Sequence, residues 1–202
     1  LQRRHRTPRR CAGFTLIEVL TAILLLSFGL LGMAALQAGA LQGHREARLQ
    51  VLAIRLATEL AERMRANRAV AMQPTPAANP YLLEHAGGSA PASAGACMAG
   101  GCSTPLDVAR WDASEWLTRL ADAAHGGLPG ARVAVCFDEA PYDTDGSTRW
   151  ACTHSGDTAQ IKLGWRRGTT DRSRTGSDAI EDPNARESHP LVSMPVAIGL
   201  PS

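Results

Sequence analysis

An α+β fold, with one very long N-terminal helix packed on a small antiparallel-sheet head, is predicted by three observations. Residues 19–36 carry no charge and are almost wholly apolar. Beyond them Leu49, Leu52, Ala53, Leu56, Ala57, Leu60, Ala61 and Met64 recur at steps of three and four, the spacing of one helix face. Later in the chain, ARVAVCFD and QIKLGWRR alternate apolar residues with others at the period of a strand.

The uncharged run spans about 27 Å at about 1.5 Å per residue, close to the hydrocarbon thickness of a bilayer. No proline occurs between Phe14 and Gln73, so a single helix of about 55 residues is allowed. Such a helix is several times the globular mean and needs an external partner: lipid or other helices for its first half, a small domain for the stripe of its second. Gly29, Gly32, Gly39 and Gly43 each lower helix propensity by about 1 kcal/mol relative to Ala, which predicts either local bending or close packing there. Arg55, Thr58, Glu59, Glu62 and Arg63 take the side opposite the stripe.

Pro74, Pro76 and Pro80 end the helix, and the Ala-, Gly- and Ser-rich segment that follows, to about residue 96, reads as a loop. DASEWLTRLADAAHGG then predicts a second helix, with Asp112 and Glu115 spaced as a capping box and Gly126 and Gly127 as the stop. Trp116, Leu117, Leu120 and Ala124 share its buried face. In QIKLGWRR, Ile161, Leu163 and Trp165 point inward while Lys162, Gly164 and Arg166 point to solvent, as a half-buried antiparallel strand requires. Residues 168–190 show no periodicity and predict a mobile loop. LVSMPVAI predicts a third strand, which Pro195 confines to an edge. The expected divisions are therefore 1–13, a basic leader; 14–36, the apolar half-helix; 37–73, the amphipathic half; and 74–202, a globular head.

Charge sets orientation. Residues 1–13 hold five arginines and no acid, leaving sixteen bases against nineteen acids, a net −3, over the rest of the chain. That balance gives no nucleic-acid footprint. The arginines before the apolar run predict a cytoplasmic N-terminus and an exported remainder. No small-x-small cleavage site ends the run, as a secretory signal would require. Cys11 lies before the run, among arginines, which is the wrong side for lipid attachment. Cys97, Cys102, Cys136 and Cys152 form an even set in the exported part, predicting two disulfides. Of the three pairings, Cys97 with Cys102 and Cys136 with Cys152 are expected, since both are local. The spacings CMAGGC and C-x15-C lack the two-residue knuckle of a zinc site, so no metal is expected.

Nothing predicts an enzyme or a cofactor. His85, His125, His154 and His189 are scattered, without a nucleophile or carboxylate at suggestive spacing. Asp143, Asp145 and Gly146 form a fragment of a calcium loop without its closing glutamate, and read as a turn. Trp111, Trp116, Trp150 and Trp165 serve a core in a chain with only 4% aromatic residues, Trp116 and Trp165 foremost.

One carboxylate, Glu18, interrupts the apolar segment GFTLIEVLTAILLL. Burying it costs several kcal/mol without a partner, so an intramembrane carboxylate is a functional candidate. The order basic leader, Gly13, Phe14, then Glu18 and an apolar helix resembles the class III signal of type IV prepilins and of the pseudopilins of type II secretion. The resemblance implies the type IV pilin fold, cleavage by a prepilin peptidase after Gly13, N-methylation of Phe14, and Glu18 as fifth residue of the mature chain. A carboxylate there can pair with the terminal amine of a neighbouring subunit. Further along, LAERMRANRAVA, the C-x4-C at 97–102, DASEW, GGLPGARVAVC and IKLGW are similar to the PilV group of minor pilins, the type IV pilus modification proteins. What this implies is a structural subunit that primes or modulates pilus assembly. Its partners would be other minor and major pilins, the prepilin peptidase and the inner membrane, with the head in the periplasm and then in the pilus. The alternative is a minor pseudopilin of a type II secretion system.

Overall fold

A computed structural model describes residues 13–90, 97, 101–169 and 173–198. Residues 1–12 with Cys11, most of the segment 91–100, residues 170–172 and the last four residues lie outside the described residues. The chain divides into two compact units, Leu1–Arg45 and Glu46–Ser202, and one helix, α1 (Leu16–Ala66, 51 residues), contributes to both.

In the first unit every residue from 13 to 45 is exposed. This stretch of α1 is long and apolar enough to cross a membrane by length and composition. Its hydroxyls are satisfied within the helix: Thr21 Oγ1 donates to Ile17 O and Ser27 Oγ to Ile23 O, at 3.0 and 2.8 Å. That is the arrangement a segment facing lipid requires, because no water is there to bond them. The glycines at 29, 32, 39 and 43 do not interrupt the helix.

In the second unit the stripe of α1 is buried at Ala53, Leu56, Ala57, Leu60, Ala61 and Met64, with Leu49 and Leu52 packed at its margin. The helix stops at Ala66, before any proline. Asn67 leaves the helical region, and a short α2 (Arg68–Ala71) follows. Buried Asn79 fixes this exit by donating to Ala71 O and Gln73 O and accepting from Tyr81 N–H.

The second long helix, α3 (Pro105–Ala121), is capped by Thr104 and not by Asp112, so it begins about two turns earlier than the sequence suggested. Thr104 is the N-cap, accepting from Asp107 N–H at 3.2 Å, and Pro105 takes the first helical position, where its missing N–H costs nothing. Asp112 and Glu115 are therefore mid-helix residues and not a capping box. Ala109, Ala113, Trp116, Leu117 and Leu120 form the buried face. Ala124 is exposed beyond the helix end, in a 3-10 turn that closes on Gly126 in the left-handed region.

Four strands form one antiparallel sheet in the order β1 (Glu84–Ala86), β2 (Arg132–Phe137), β3 (Ala159–Gly164), β6 (Val192–Val196). β1 arises inside the segment expected to be loop. The segment 168–190, expected to be a loop, contains β5 (Ile180–Glu181), which pairs as a small ribbon with β4 (Arg167–Gly168) at its start. Val133, Val135, Phe137, Ile161, Leu163 and Val196 join the helices and Trp165 in the core.

The opposite sheet face is not open to solvent. All six residues of β3 are buried, including Lys162, Gln160 and Gly164, because the irregular segment between β2 and β3 and residues near Pro183 lie over them. A Cβ on Gly164 would meet Trp150 Cζ2 at 2.9 Å and Pro183 Cβ at 3.0 Å, so glycine is needed for this close approach. Even-numbered residues of β2 bond toward β3, as Asp138 N–H to Thr158 O continues, and odd ones toward β1, as Val135 N–H to Leu83 O shows. By the same alternation Pro195, opposite Gln160, has its imide nitrogen on the outer edge of β6, where no ladder bond is lost.

Candidate processing and assembly site

Gly13, Phe14 and Thr15 precede α1 as non-helical, exposed chain, with Phe14 85% exposed. An ideal Cβ on Gly13 meets no atom within 4 Å. Among the described residues, then, no contact requires a glycine here. One further residue, Thr15, joins the site in a way the sequence reading missed. Glu18 N–H and Val19 N–H donate to Thr15 O, and Thr15 N–H faces Glu18 Oε2 at a long 3.5 Å. Thr15-Leu16-Ile17-Glu18 is thus a capping-box sequence, with Glu18 placed to reach back to the N-cap amide. The signal was legible as T-x-x-E, and the position also suits a negative charge at the positive end of the helix dipole.

The head-side end of α1 is held electrostatically. Arg63 Nη2 meets Glu59 and Glu115, each at 2.7 Å, and Nη1 meets Asp112 Oδ1 at 3.2 Å. Arg119 bridges Glu115 at 2.6 Å and also Glu59. Tyr81 donates its hydroxyl to Asp112 Oδ2 at 3.0 Å. Glu59 and Arg63, expected on the solvent side of α1, thus seam it to α3. The Arg119 hydrogen bond lowers the Glu59 carboxyl below its ordinary value, against an opposing push from burial, with help from the charges of Arg119 and Arg63.

A folded value below the unfolded one means that the unfolded chain binds more protons in between. This stabilisation is therefore present above about pH 4.3 and lost as pH falls through the folded value. Arg119→Gln is expected to lower the urea midpoint of the head at pH 7 and to match the parent progressively more closely below about pH 4. Paired urea titrations at several pH values measure it; a parallel offset at all pH values would contradict the assignment.

The four head cysteines are joined as Cys97–Cys102 and Cys136–Cys152. Ligand atoms of Cys136, Asp138 and Cys152 come within 4.8 Å of one another, but both sulfurs are in the disulfide and Asp138 is paired with Lys162. Of the histidines, His85 and His154 line one cleft of about 490 Å³ with Glu84, Arg132 and Trp150, where Arg132 stacks over the Trp150 ring at 4.2 Å. His125 pairs with Asp122, and His189 Nδ1 lies 2.8 Å from Thr148 O. Asp145 spends its carboxylate on its own turn, accepting from Ser147 N–H and Oγ. Trp116 and Trp165 are core residues, while Trp111 and Trp150 are half-buried.

Residues 35–114 match the family model described as type IV pilin Tt1218 (Tt1218-like). Residues 8–34 match the prokaryotic N-terminal methylation motif. No curated protein and no solved structure matches. The two matched segments abut and run from residue 8 through α1 into α3, and the long helix with its small antiparallel-sheet head is the α+β fold of type IV pilins.

Proposed function

We propose that this chain, with the fold of a type IV pilin and a prepilin methylation motif, is a minor pilin that primes or modulates pilus assembly. Prepilin peptidase cuts after Gly13, Phe14 becomes the N-methylated first residue, and residues 14–36 hold the subunit in the inner membrane with its head in the periplasm. Assembly then transfers the exposed apolar stretch of α1 from lipid into contact with copies or relatives of itself.

The observation that carries this reading is the conjunction of Gly13, Phe14 and Glu18 with a helix whose residues up to 45 are all exposed, yet apolar over most of their length. A soluble structural domain cannot leave such a surface in water. The sequence similarity of the head to the PilV group supports the narrower assignment.

Mass spectrometry of the protein from membranes tests the processing step. The expected mature chain begins at Phe14 with one added methyl group. Gly13→Val should leave the leader attached, giving a slower-migrating precursor. A mature protein that retains Cys11 would overturn the assignment.

A further inference from the structure

The outer face of the sheet carries a buried ion pair whose hydrogen bonds converge on one cysteine. Cys136 and Asp138, two residues apart on and just beyond β2, share that face with Lys162 of β3. Lys162 Nζ lies 2.5 Å from Asp138 Oδ2, and both side chains are fully buried. The remaining bonds of the pair go to the covering segment. Lys162 Nζ donates to Ala151 O at 2.8 Å, and Asp138 Oδ1 accepts from Thr153 N–H at 3.3 Å and from Ala140 N–H at 3.1 Å. Ala151 and Thr153 flank Cys152. Each member of the pair thus grips the backbone on one side of that cysteine, while the neighbouring residue of Asp138, Glu139, donates its N–H to Thr153 Oγ1 at 3.0 Å.

We infer that the Lys162–Asp138 pair is a positioning device for the Cys136–Cys152 disulfide: it anchors Cys152 against β2 before the sulfurs join, and so selects this partner over Cys97 and Cys102. The physical need is clear from the topology. The bridge closes a separation of 16 residues through chain that holds no strand, only a turn closed by an antiparallel bridge between Tyr142 and Thr148, which leaves Ala151 to Thr153 to be held from outside it. Cys97 and Cys102 are five residues apart and need no such guide. An ion pair inside protein is stronger than in water but tolerates no missing partner, so it fixes one arrangement of the groups it bonds. Because a coupling free energy is reciprocal, whatever the pair contributes to closure, the disulfide returns to the pair.

The chemistry is thiol–disulfide exchange with a disulfide oxidant. One protein thiolate attacks the oxidant's sulfur and expels one thiolate. The second protein thiolate then attacks the mixed disulfide and expels the other. Two protein thiols lose two electrons and two protons, and one oxidant disulfide becomes two thiols.

The test is the equilibrium of the full mature chain, in detergent, with glutathione and glutathione disulfide. Each protein bridge is quantified separately by alkylation and peptide mass spectrometry. Lys162→Met, and the paired replacement Lys162→Met with Asp138→Leu, which leaves no orphaned charge, should each lower the closure constant of Cys136–Cys152 about tenfold or more. Cys97–Cys102 in the same molecules should stay within about twofold. A change under twofold at Cys136–Cys152 in the paired variant overturns the inference. A second measurement needs no change to the pair: in Cys136→Ser with Cys152→Ser, the Thr153 amide should remain protected from hydrogen exchange. Exchange there at the rate of an open chain would show that the disulfide holds the segment without the pair, and would overturn it equally.

Discussion

Replacement of Glu18 by glutamine is expected to leave the protein processed, folded and membrane-bound, yet to remove most of it from sheared filaments, with pilus number falling as in a deletion. The glutamine variant is the informative one because the observed capping contact and the proposed pairing with a neighbour's amine both fall on this side chain. Glu18 faces the Thr15 amide across the first turn of α1, and a capping-box residue can be Glu or Gln. Capping contributes only about 1 kcal/mol to one helix end and is complete within a single subunit. Pairing with the terminal amine of a neighbour needs the negative charge and exists only in the assembled state. Glu18→Gln keeps the first role and removes the second, whereas Glu18→Ala removes both. If both variants fail to incorporate, the charge is what assembly uses. If Glu18→Gln incorporates normally while Glu18→Ala does not, Glu18 is a cap and the pairing role is wrong. The measurement is the ratio of this protein in sheared pili to that in membranes, in strains carrying only the variant copy.

The largest stability effect is expected at Trp116. Its indole is fully buried in the core, and its Nε1 donates to Leu56 O of α1 at 2.8 Å. Trp116→Ala loses the packing of a large aromatic side chain, about 3–5 kcal/mol, and the hydrogen bond besides, about 1 kcal/mol. Against a domain stability of about 5–15 kcal/mol, that loss leaves a marginal or unfolded head. Trp116→Phe separates the two contributions. Leu56 O, lying within α1, retains its helical bond, so this variant should cost far less than the alanine. Urea unfolding followed by far-ultraviolet circular dichroism decides between them, with half-buried Trp111→Ala as the comparison. An equal cost for Trp111→Ala and Trp116→Ala would show that the indole is not the pin between α1 and α3.

What the sequence revealed, and what it concealed, follows from the range of the interactions involved. The stripe from Leu49 to Met64 was legible because one helix face repeats in the chain itself, and Trp116 and Trp165 because so few aromatic residues are available for a core. The start of α3 was also written locally, as Thr104-Pro105 with Asp107, but Asp112 and Glu115 have the same spacing as a cap and drew the boundary too late. Those two acids are explained by Arg63, some fifty residues away. The alternation of β3 correctly put Ile161 and Leu163 on the helix side. It left Lys162 in solvent, because a two-residue period names the faces of a strand without saying what covers them. The cover is chain without periodicity, and its hold on Lys162 depends on Asp138 at the end of another strand. At the N-terminus the methylation motif over residues 8–34 was readable, since such a motif is written in consecutive residues. The capping geometry of Thr15 was written in four of the same letters and went unread.

If the chain is the membrane-held subunit proposed above, the proline of β6 bears on a different matter, the behaviour of many such subunits side by side. Molecules tethered at one end to a common surface keep their sheets at one height, so they meet edge to edge far more often than they would when tumbling freely. An outer strand with a full row of amide donors would zip such neighbours into sheets, and a reservoir of that kind would be hard to draw from. On the outward side of β6, Ser193 can offer an N–H, but Pro195 offers only a carbonyl. In the proposed membrane-held pilin the missing donor would spoil the ladder after a single rung, so that neighbouring subunits would stay dispersed.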